Sequence, residues 1–247
     1  MKTIDKTVRI LDALVEAEGS RVSELSDRLE MPTSTVHAHL SALKRHGFVR
    51  SDGDIYTLGL QFLYYGGHIL HNKREYELVR PRVSALAERT GERVQFIVEH
   101  GGRGIYLYTS AEGERAVQAD VRMGKIADLA PTAAGKAILA YLPESTVREI
   151  LDEHGLEAHT ENSITDEDEL FAELDAVRER GYSINDEERI HKQIAVGAAI
   201  LDRAGGVVGG LSVSGPAHRM RAERYQDEIV DLLLGTVDEI ELNIIYQ

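Results

Sequence analysis

The chain of 247 residues contains no cysteine, and this absence excludes several kinds of protein. A disulfide framework, a zinc site built on thiolates and a cysteine nucleophile all need the missing residue. Long apolar runs are missing as well, since no segment approaches the ~18 consecutive apolar residues of a membrane helix. Acidic residues also interrupt the amino-terminal segment, where a signal peptide needs an apolar stretch. We therefore expect a cytoplasmic protein that has no membrane partner.

Lysine is scarce, with 7 Lys against 21 Arg, and the net charge is −14. The charge is unevenly distributed: residues 1–74 hold 10 basic and 9 acidic side chains, whereas residues 75–247 hold 18 and 33. The first segment can therefore approach a polyanion that the second would repel. The acid surplus resembles that of proteins adapted to high salt, in which screening makes DNA affinity depend more on shape and direct contacts.

The first 59 residues predict three short helices and a hairpin. A helix over residues 4–18 has one apolar face, expected to point inward, made of Ile4, Val8, Leu11 and Val15. A second apolar patch, which is either a wider core contact or a dimer contact, is made of Ile10, Ala13 and Leu14. Ser23 is expected to cap a helix over 24–29. A third helix over 33–46 ends at Gly47, and strands at 48–50 and 55–58 complete a winged helix-turn-helix.

The third helix has a slim outward face. On the helical wheel Val36, Leu40 and Leu43 point inward, and the opposite positions are Ser34, Ala38, Ser41 and Arg45. Small side chains let a helix enter the major groove. The alternative is a buried helix with accidental polarity. A metal site is not expected, because the histidines at positions 37, 39 and 46 do not share one face.

The remaining sequence predicts a linker helix over 60–74 and an α+β domain over 75–247 with an antiparallel sheet and flanking helices. Expected strands cover 93–100, 105–111, 116–121, 195–202 and 207–216. Expected helices cover 133–142, 144–153, 166–180 and about 221–245. Hairpins dominate this half, as in small-molecule sensor domains.

Four segments, in order, resemble regulators of the IclR family: LSDRLEMPTSTVHAHLSALKRHGFV, LAPTAAGKAILAYLP, RERGYSINDEE and VVGGLSVSGP. The resemblance implies a winged helix, a linker helix and a GAF-like effector domain. It further implies a homodimer or tetramer that binds double-stranded DNA at palindromic operators, under the control of a small-molecule effector such as an organic acid. Together with the acid surplus, it makes a halophilic archaeon the expected source.

The resemblance and the outward face of the third helix assign the DNA contacts to Thr33, Ser34, Thr35, His37, Ala38, Ser41, Arg45 and Arg50. Family members often carry Arg directly after the histidine, where this chain has Ala38. One base or phosphate contact is therefore expected to be absent, and His37 or Arg45 to take more of its part.

The effector site implied by the resemblance consists of Ala133, Ala134, Asn185, Ala195, Ser212 and Ser214. The two serines stand at i and i+2 of a strand and so share one face, where both hydroxyls can reach one ligand. Asn185 and Ala195 replace an acid and a cysteine of some relatives. The segment 189–194 either supplies a cation to an acidic ligand or is an exposed loop, and the loop is favoured.

Two enzyme motifs, the nucleophile elbow and the phosphate loop, are incomplete in this sequence. Neither Ser212 nor Ser214 has glycine on both sides at the spacing of a nucleophile elbow. Lys136 lacks the first glycine and the following hydroxyl residue of a phosphate loop. We therefore expect a transcription regulator with no catalytic activity, cofactor or metal. The alternative is an enzyme or metabolite-binding module whose winged helix contacts proteins.

Overall fold

The computed structural model describes residues 2–111 and 122–246, without the side chains of 223–226. It divides into two compact units, Met1–Lys73 and Arg74–Gln247. In the described ranges, every helix is too short or too polar to cross a bilayer.

The first unit is a winged helix. Its elements, in chain order, are α1 (Lys2–Glu16), β1 (Ser20–Arg21), α2 (Val22–Leu29), α3 (Thr33–Arg45), β2 (Val49–Asp52), β3 (Ile55–Leu58) and α4 (Gln61–His71). The hairpin β2–β3 is the expected wing, and β1 adds a short third strand in the order β1–β3–β2. The core under these elements contains Leu25, Met31, Val36, Leu40 and Val49.

The face of helix α1 that packs against this core is not the face that was expected to point inward. Its buried residues are Ile10, Ala13 and Leu14. Its exposed apolar residues are Ile4, Val8 and Val15. The expectation was wrong because both apolar stripes satisfy the helical period, and only packing against α2, α3 and the wing decides which is covered. The Ile10 patch is therefore a core contact within this unit.

Helix α2 begins at Val22, and Ser23 is not its cap. The Glu24 carboxylate instead accepts hydrogen bonds from the Arg21 backbone N–H at 2.7 Å and the Ser20 hydroxyl at 2.9 Å. The pairing of β1 with β3 holds Ser20 and Arg21 in the extended conformation. The helix therefore starts directly after this strand, two residues earlier than the sequence indicates.

The second unit is an α+β layer structure. Its elements are α5 (Arg74–Thr90), β4 (Arg93–His100), β5 (Arg103–Ala111), β6 (Ile126–Ala127), α6 (Ala133–Tyr141), α7 (Glu144–His154), α8 (Glu167–Arg180), β7 (Ser183–Asp186), β8 (Gln193–Leu201), β9 (Val207–Pro216), α9 (Ala217–Met220) and α10 (Glu223–Tyr246). Within the described residues, the strands form one antiparallel sheet in the order β6–β5–β4–β9–β8–β7. The strand expected at 116–121 lies outside the described residues.

The two faces of this sheet have different neighbours. Helices α5 and α10 pack on one face, where the ring of Phe96 contacts that of Tyr76 with centroids 5.9 Å apart. Helix α6 packs on the opposite face, over Gly197 of β8. A Cβ at Gly197 would lie 2.5 Å from the backbone carbonyl carbon of Ala133, so glycine is what permits this approach. The first turn of α6 consequently sits directly on the sheet.

Candidate DNA-binding surface and effector pocket

The expected groove-facing side of α3 is open to solvent. Ser34, His37, Ala38 and Arg45 are exposed, and Ser41 is half-buried. Val36 and Leu40 on the other side are completely buried. The helix therefore presents small and polar side chains to solvent from a fixed apolar base, which is the geometry that major-groove insertion requires.

The remaining predicted contact residues lie at the start of α3 and on the wing. Thr35 is half-buried, and the Thr33 hydroxyl lies 3.1 Å from the Ser26 hydroxyl of α2. Arg50 on β2 is exposed and donates from Nε to the Thr57 hydroxyl at 3.0 Å. Thr33 thus also helps to join the two helices of the helix-turn-helix.

Lys44 was not among the predicted residues, although it ties α3 to the wing. Its ammonium group donates to the Ser51 hydroxyl at 2.7 Å, and its side chain is exposed. It stands beside Arg45 in the last turn of α3, where a cation also interacts favourably with the helix dipole. Its place in the last turn was visible in the sequence, but its contact with the wing depends on the fold.

A cavity of about 270 Å³ opens on the α6 side of the large sheet. It is lined by Gln95, Tyr106, Lys125, Thr132, Ala133, Asn185, Arg189, Ile190, Gln193, Ala195, Ser212 and Ser214. Of the six predicted effector residues, five belong to this lining. Ala134 does not; it is buried one residue further along α6, against Gly210.

The floor of the cavity is a hydrogen-bonded triad on two adjacent strands. The Gln95 side-chain amide donates to the Ser214 hydroxyl at 2.9 Å, and the Ser212 hydroxyl donates to the Gln95 side-chain oxygen at 3.1 Å. All three side chains are nearly fully buried. The Ser214 hydroxyl can also donate to the Gln95 side-chain oxygen at 3.4 Å, a long contact that an acceptor on a ligand could replace. Sequence reasoning missed Gln95, since only the pairing of β4 with β9 brings it beside the serines.

The start of α6 forms a second wall. Thr132 caps the helix by accepting from the Gly135 N–H at 3.1 Å, and the earlier amides of the first turn precede any intrahelical acceptor. The helix dipole makes this end favourable for a negative charge. Asn185 lies at the same wall, where its side chain donates to the Pro131 carbonyl and accepts from the Glu188 N–H. It therefore positions backbone as well as lining the cavity.

The segment 189–194 is more than an exposed loop. Ile190, His191 and Lys192 are exposed, as that interpretation predicts, but Arg189 and Gln193 are half-buried and, together with Ile190, line the cavity. Arg189 is half-buried and donates from Nη1 to the Tyr106 hydroxyl at 2.6 Å. The favoured interpretation was wrong for Arg189 and Gln193, because polarity alone does not reveal that part of the β7–β8 connection lines the cavity.

A buried ion pair lies behind this wall. The Lys136 ammonium group is 2.5 Å from Oε1 of Glu188 and 3.6 Å from Oε1 of Glu173, and both Lys136 and Glu188 are almost completely buried. Burial raises the pKa of Glu188 although the Lys136 charge opposes this shift. The pair fixes α6 to the segment that carries Arg189.

One group of side chains has the composition of a metal site. Asp128, Glu157 and His159 bring one candidate ligand atom each to within 4.8 Å of one another. Asp128 also forms a close ion pair with Arg103, so a cation would have to compete with a guanidinium already in place. This group was not predicted from the sequence, because Asp128 follows β6 whereas Glu157 and His159 lie in the connection between α7 and α8.

Two family descriptions match the chain, in the order of the two units. "IclR helix-turn-helix domain" matches residues 3–53, and "Bacterial transcriptional regulator IclR C-terminal" matches residues 68–242. The fold and these matches define the class as a DNA-binding transcription regulator with an effector-binding C-terminal domain. The chain belongs to the IclR family, which confirms the resemblance and the α+β fold class.

Similar proteins cover nearly the whole chain. A probable HTH-type transcriptional regulator, ArcR of Halobacterium salinarum, is 33% identical over 241 residues, spanning 96% of this chain and 91% of that protein. The HTH-type transcriptional repressor AllR of Escherichia coli is 29% identical, spanning 93% and 86%. The crystal structure of Thermotoga maritima IclR has a TM-score of 0.84 at 32% identity and full coverage of both chains.

Proposed function

We propose that this protein is a cytoplasmic, sequence-specific transcription regulator. Its affinity for a palindromic operator is controlled by a small organic acid that binds in the C-terminal cavity. The observation that carries the proposal is the cavity itself. Donors from Ser214, Arg189 and the first turn of α6 converge on it, and a carboxylate or carbonyl oxygen is the acceptor that suits them.

The cavity supports binding rather than catalysis. Neither a histidine nor a carboxylate lines it within the described residues, so Ser212 and Ser214 lack a general base there. Their hydroxyls are engaged instead with the Gln95 amide. The same absence of carboxylates from the lining leaves nothing to repel an anionic ligand. We infer that the chain is a regulator and not an enzyme.

Control of DNA by the effector follows from assembly. We propose that domain 1–59 binds DNA, residues 60–74 link it to the effector domain 75–247, and the protein acts as a homodimer or tetramer. Two recognition helices must then match half-sites at a fixed helical separation. A ligand that binds more tightly to one spacing of the two helices stabilises that spacing. It can change the affinity for the operator by up to the ratio of its own affinities for the two spacings.

Gel-shift titration on the upstream region of the protein's own gene, in molar KCl, tests the DNA-binding surface. Ser34→Glu combined with His37→Glu places two carboxylates against the phosphates and bases, and we expect the shift to disappear. A control variant, Ser84→Glu with Ala85→Glu, adds the same charge at exposed positions of α5 and is expected to shift the DNA as the parent does.

The same titration separates the proposal from its alternative. Loss of binding in both variants would mean that net charge, and not the α3 surface, governs the result. If the parent shifts no genomic fragment while the protein turns over a small acid, the protein is an enzyme or metabolite-binding module, and the winged helix has another partner.

A further inference from the structure

Arg189 stands out among the charged groups of the second unit. Its guanidinium group lines the cavity, is half-buried and has a neutral partner, the hydroxyl and ring of Tyr106. Within the described residues, no carboxylate lies within ion-pair distance of it. A half-buried cation without a counter-ion is costly, and its planar fork suits a carboxylate from a ligand.

The charge around Arg189 is unusual for this part of the chain. Residues 75–247 carry 18 basic and 33 acidic side chains, yet the charged side chains that line the cavity in the described part of the chain are Arg189 and Lys125, both cationic. Lys125 lies next to Tyr106, whose backbone N–H donates to the Lys125 carbonyl at 3.0 Å. Arg189 therefore brings a positive charge to the cavity of a strongly acidic unit.

The backbone that carries Arg189 is fixed before any ligand arrives. The Thr160 hydroxyl donates to the Glu187 carbonyl at 2.7 Å, and the Ser163 hydroxyl donates to the Glu188 carbonyl at 2.6 Å. The Glu188 side chain is held by its ion pair with Lys136. A cation held in this way loses little entropy when it binds a ligand.

We propose that the effector is a small dicarboxylate: one carboxylate meets the Ser214 hydroxyl and the first turn of α6, and the other pairs with the guanidinium of Arg189. This inference rests on the proposed function, since it assumes that the cavity takes the effector. A monocarboxylate would satisfy one of the two donor sets and leave the other against an apolar group. A dianion satisfies both and supplies the counter-ion that Arg189 lacks within the described residues. The volume of about 270 Å³ fits a diacid smaller than a typical drug molecule.

Isothermal titration calorimetry with the full chain tests this assignment through matched ligands. L-malate is compared with (S)-2-hydroxybutyrate, and terephthalate with 4-methylbenzoate; each second compound replaces one carboxylate by a methyl group. We expect at least one diacid to bind on the order of 10- to 100-fold tighter than its monoacid, as charge-assisted hydrogen bonds imply.

Arg189→Gln is expected to abolish this difference and to leave the monoacid dissociation constant nearly unchanged. Arg189→Lys keeps the charge but not the fork, so we expect an intermediate preference. Arg203→Gln removes an equal charge at an exposed turn and should keep the parent's preference. The bonds that fix the 187–188 backbone do not involve the Arg189 side chain, so the variants are expected to keep the parent's melting temperature.

Three results would overturn the proposal: equal affinity of the parent for diacid and monoacid, no binding of either diacid, or equal weakening of both ligands by Arg189→Gln. Gel shifts without ligand distinguish these from failure of the proposed function. Retained operator binding together with any of the three refutes the dicarboxylate alone, whereas absence of operator binding by the parent refutes the regulator itself.

Discussion

At the scale of single residues, Lys136 is the clearest test of how the effector domain is held together. Lys136→Met would leave Glu188 buried without its cation, and breaking a buried pair in this way costs about 3–5 kcal/mol. We expect the free energy of unfolding, measured by urea titration, to fall by that amount. Removal of both charges in Lys136→Met with Glu188→Gln is expected to cost less than the sum of the single changes.

Lys192→Met provides the matched control, since it makes the same replacement at an exposed position. We expect it to change the free energy of unfolding by less than about 0.5 kcal/mol. Equal effects at positions 136 and 192 would show that the buried pair does not hold α6 in place.

At the scale of elements, the seating of α6 on β8 depends on Gly197. A methyl group there would approach the Ala133 and Ala134 backbone to between 2.5 and 2.8 Å, so Gly197→Ala must push the helix off the sheet. We expect a loss of about 1–3 kcal/mol in unfolding free energy. Ligand affinity should fall as well, because the first turn of α6 is one wall of the cavity.

Gly235→Ala makes the same substitution within α10, where nothing lies within 4 Å of the added methyl group. Alanine favours the helix, so we expect stability to rise by up to about 1 kcal/mol. If Gly197→Ala lowers the free energy of unfolding and Gly235→Ala raises it, the loss at Gly197 is due to the close approach at β8 and not to a general effect of alanine. A neutral Gly197→Ala would contradict the close packing.

At the scale of the whole molecule, the net charge of −14 predicts that added salt stabilises the folded protein. Screening reduces repulsion between carboxylates. We expect the melting temperature to rise by at least about 2–4 °C between 0.1 and 2 M KCl at pH 7.5, the shift that ~1 kcal/mol produces in a protein of this size.

The same scan near the isoelectric point of about 5.2 is the control. Net repulsion is small there, so the salt effect should shrink. A melting temperature that is insensitive to KCl at pH 7.5 would argue against the halophilic origin inferred from composition.

The recognition helix and the effector floor show which parts of a site a sequence reveals. Ser34, Ala38 and Arg45 could be placed together because one helical period relates them. Ser212 and Ser214 share a face because strand side chains alternate. Gln95 and Arg189 line the same cavity but are distant in the chain from those serines, and no local period connects them. Strand pairing and the fold of the β7–β8 segment bring them there.

Local rules of the sequence determined the longer helices and strands, the winged helix, the antiparallel α+β class and the family, because each depends on periodicity or on residues in fixed order. The short strands β1, β6 and β7 were not predicted, since each exists through pairing with a strand elsewhere in the chain. Only the tertiary structure decided which face of α1 is buried, how α2 is capped and which cations enter the cavity. Two apolar stripes on α1 fit one helical period equally well. The polar segment 189–194 is compatible with either an exposed loop or a wall of the cavity. Packing partners that are remote in sequence choose between such alternatives.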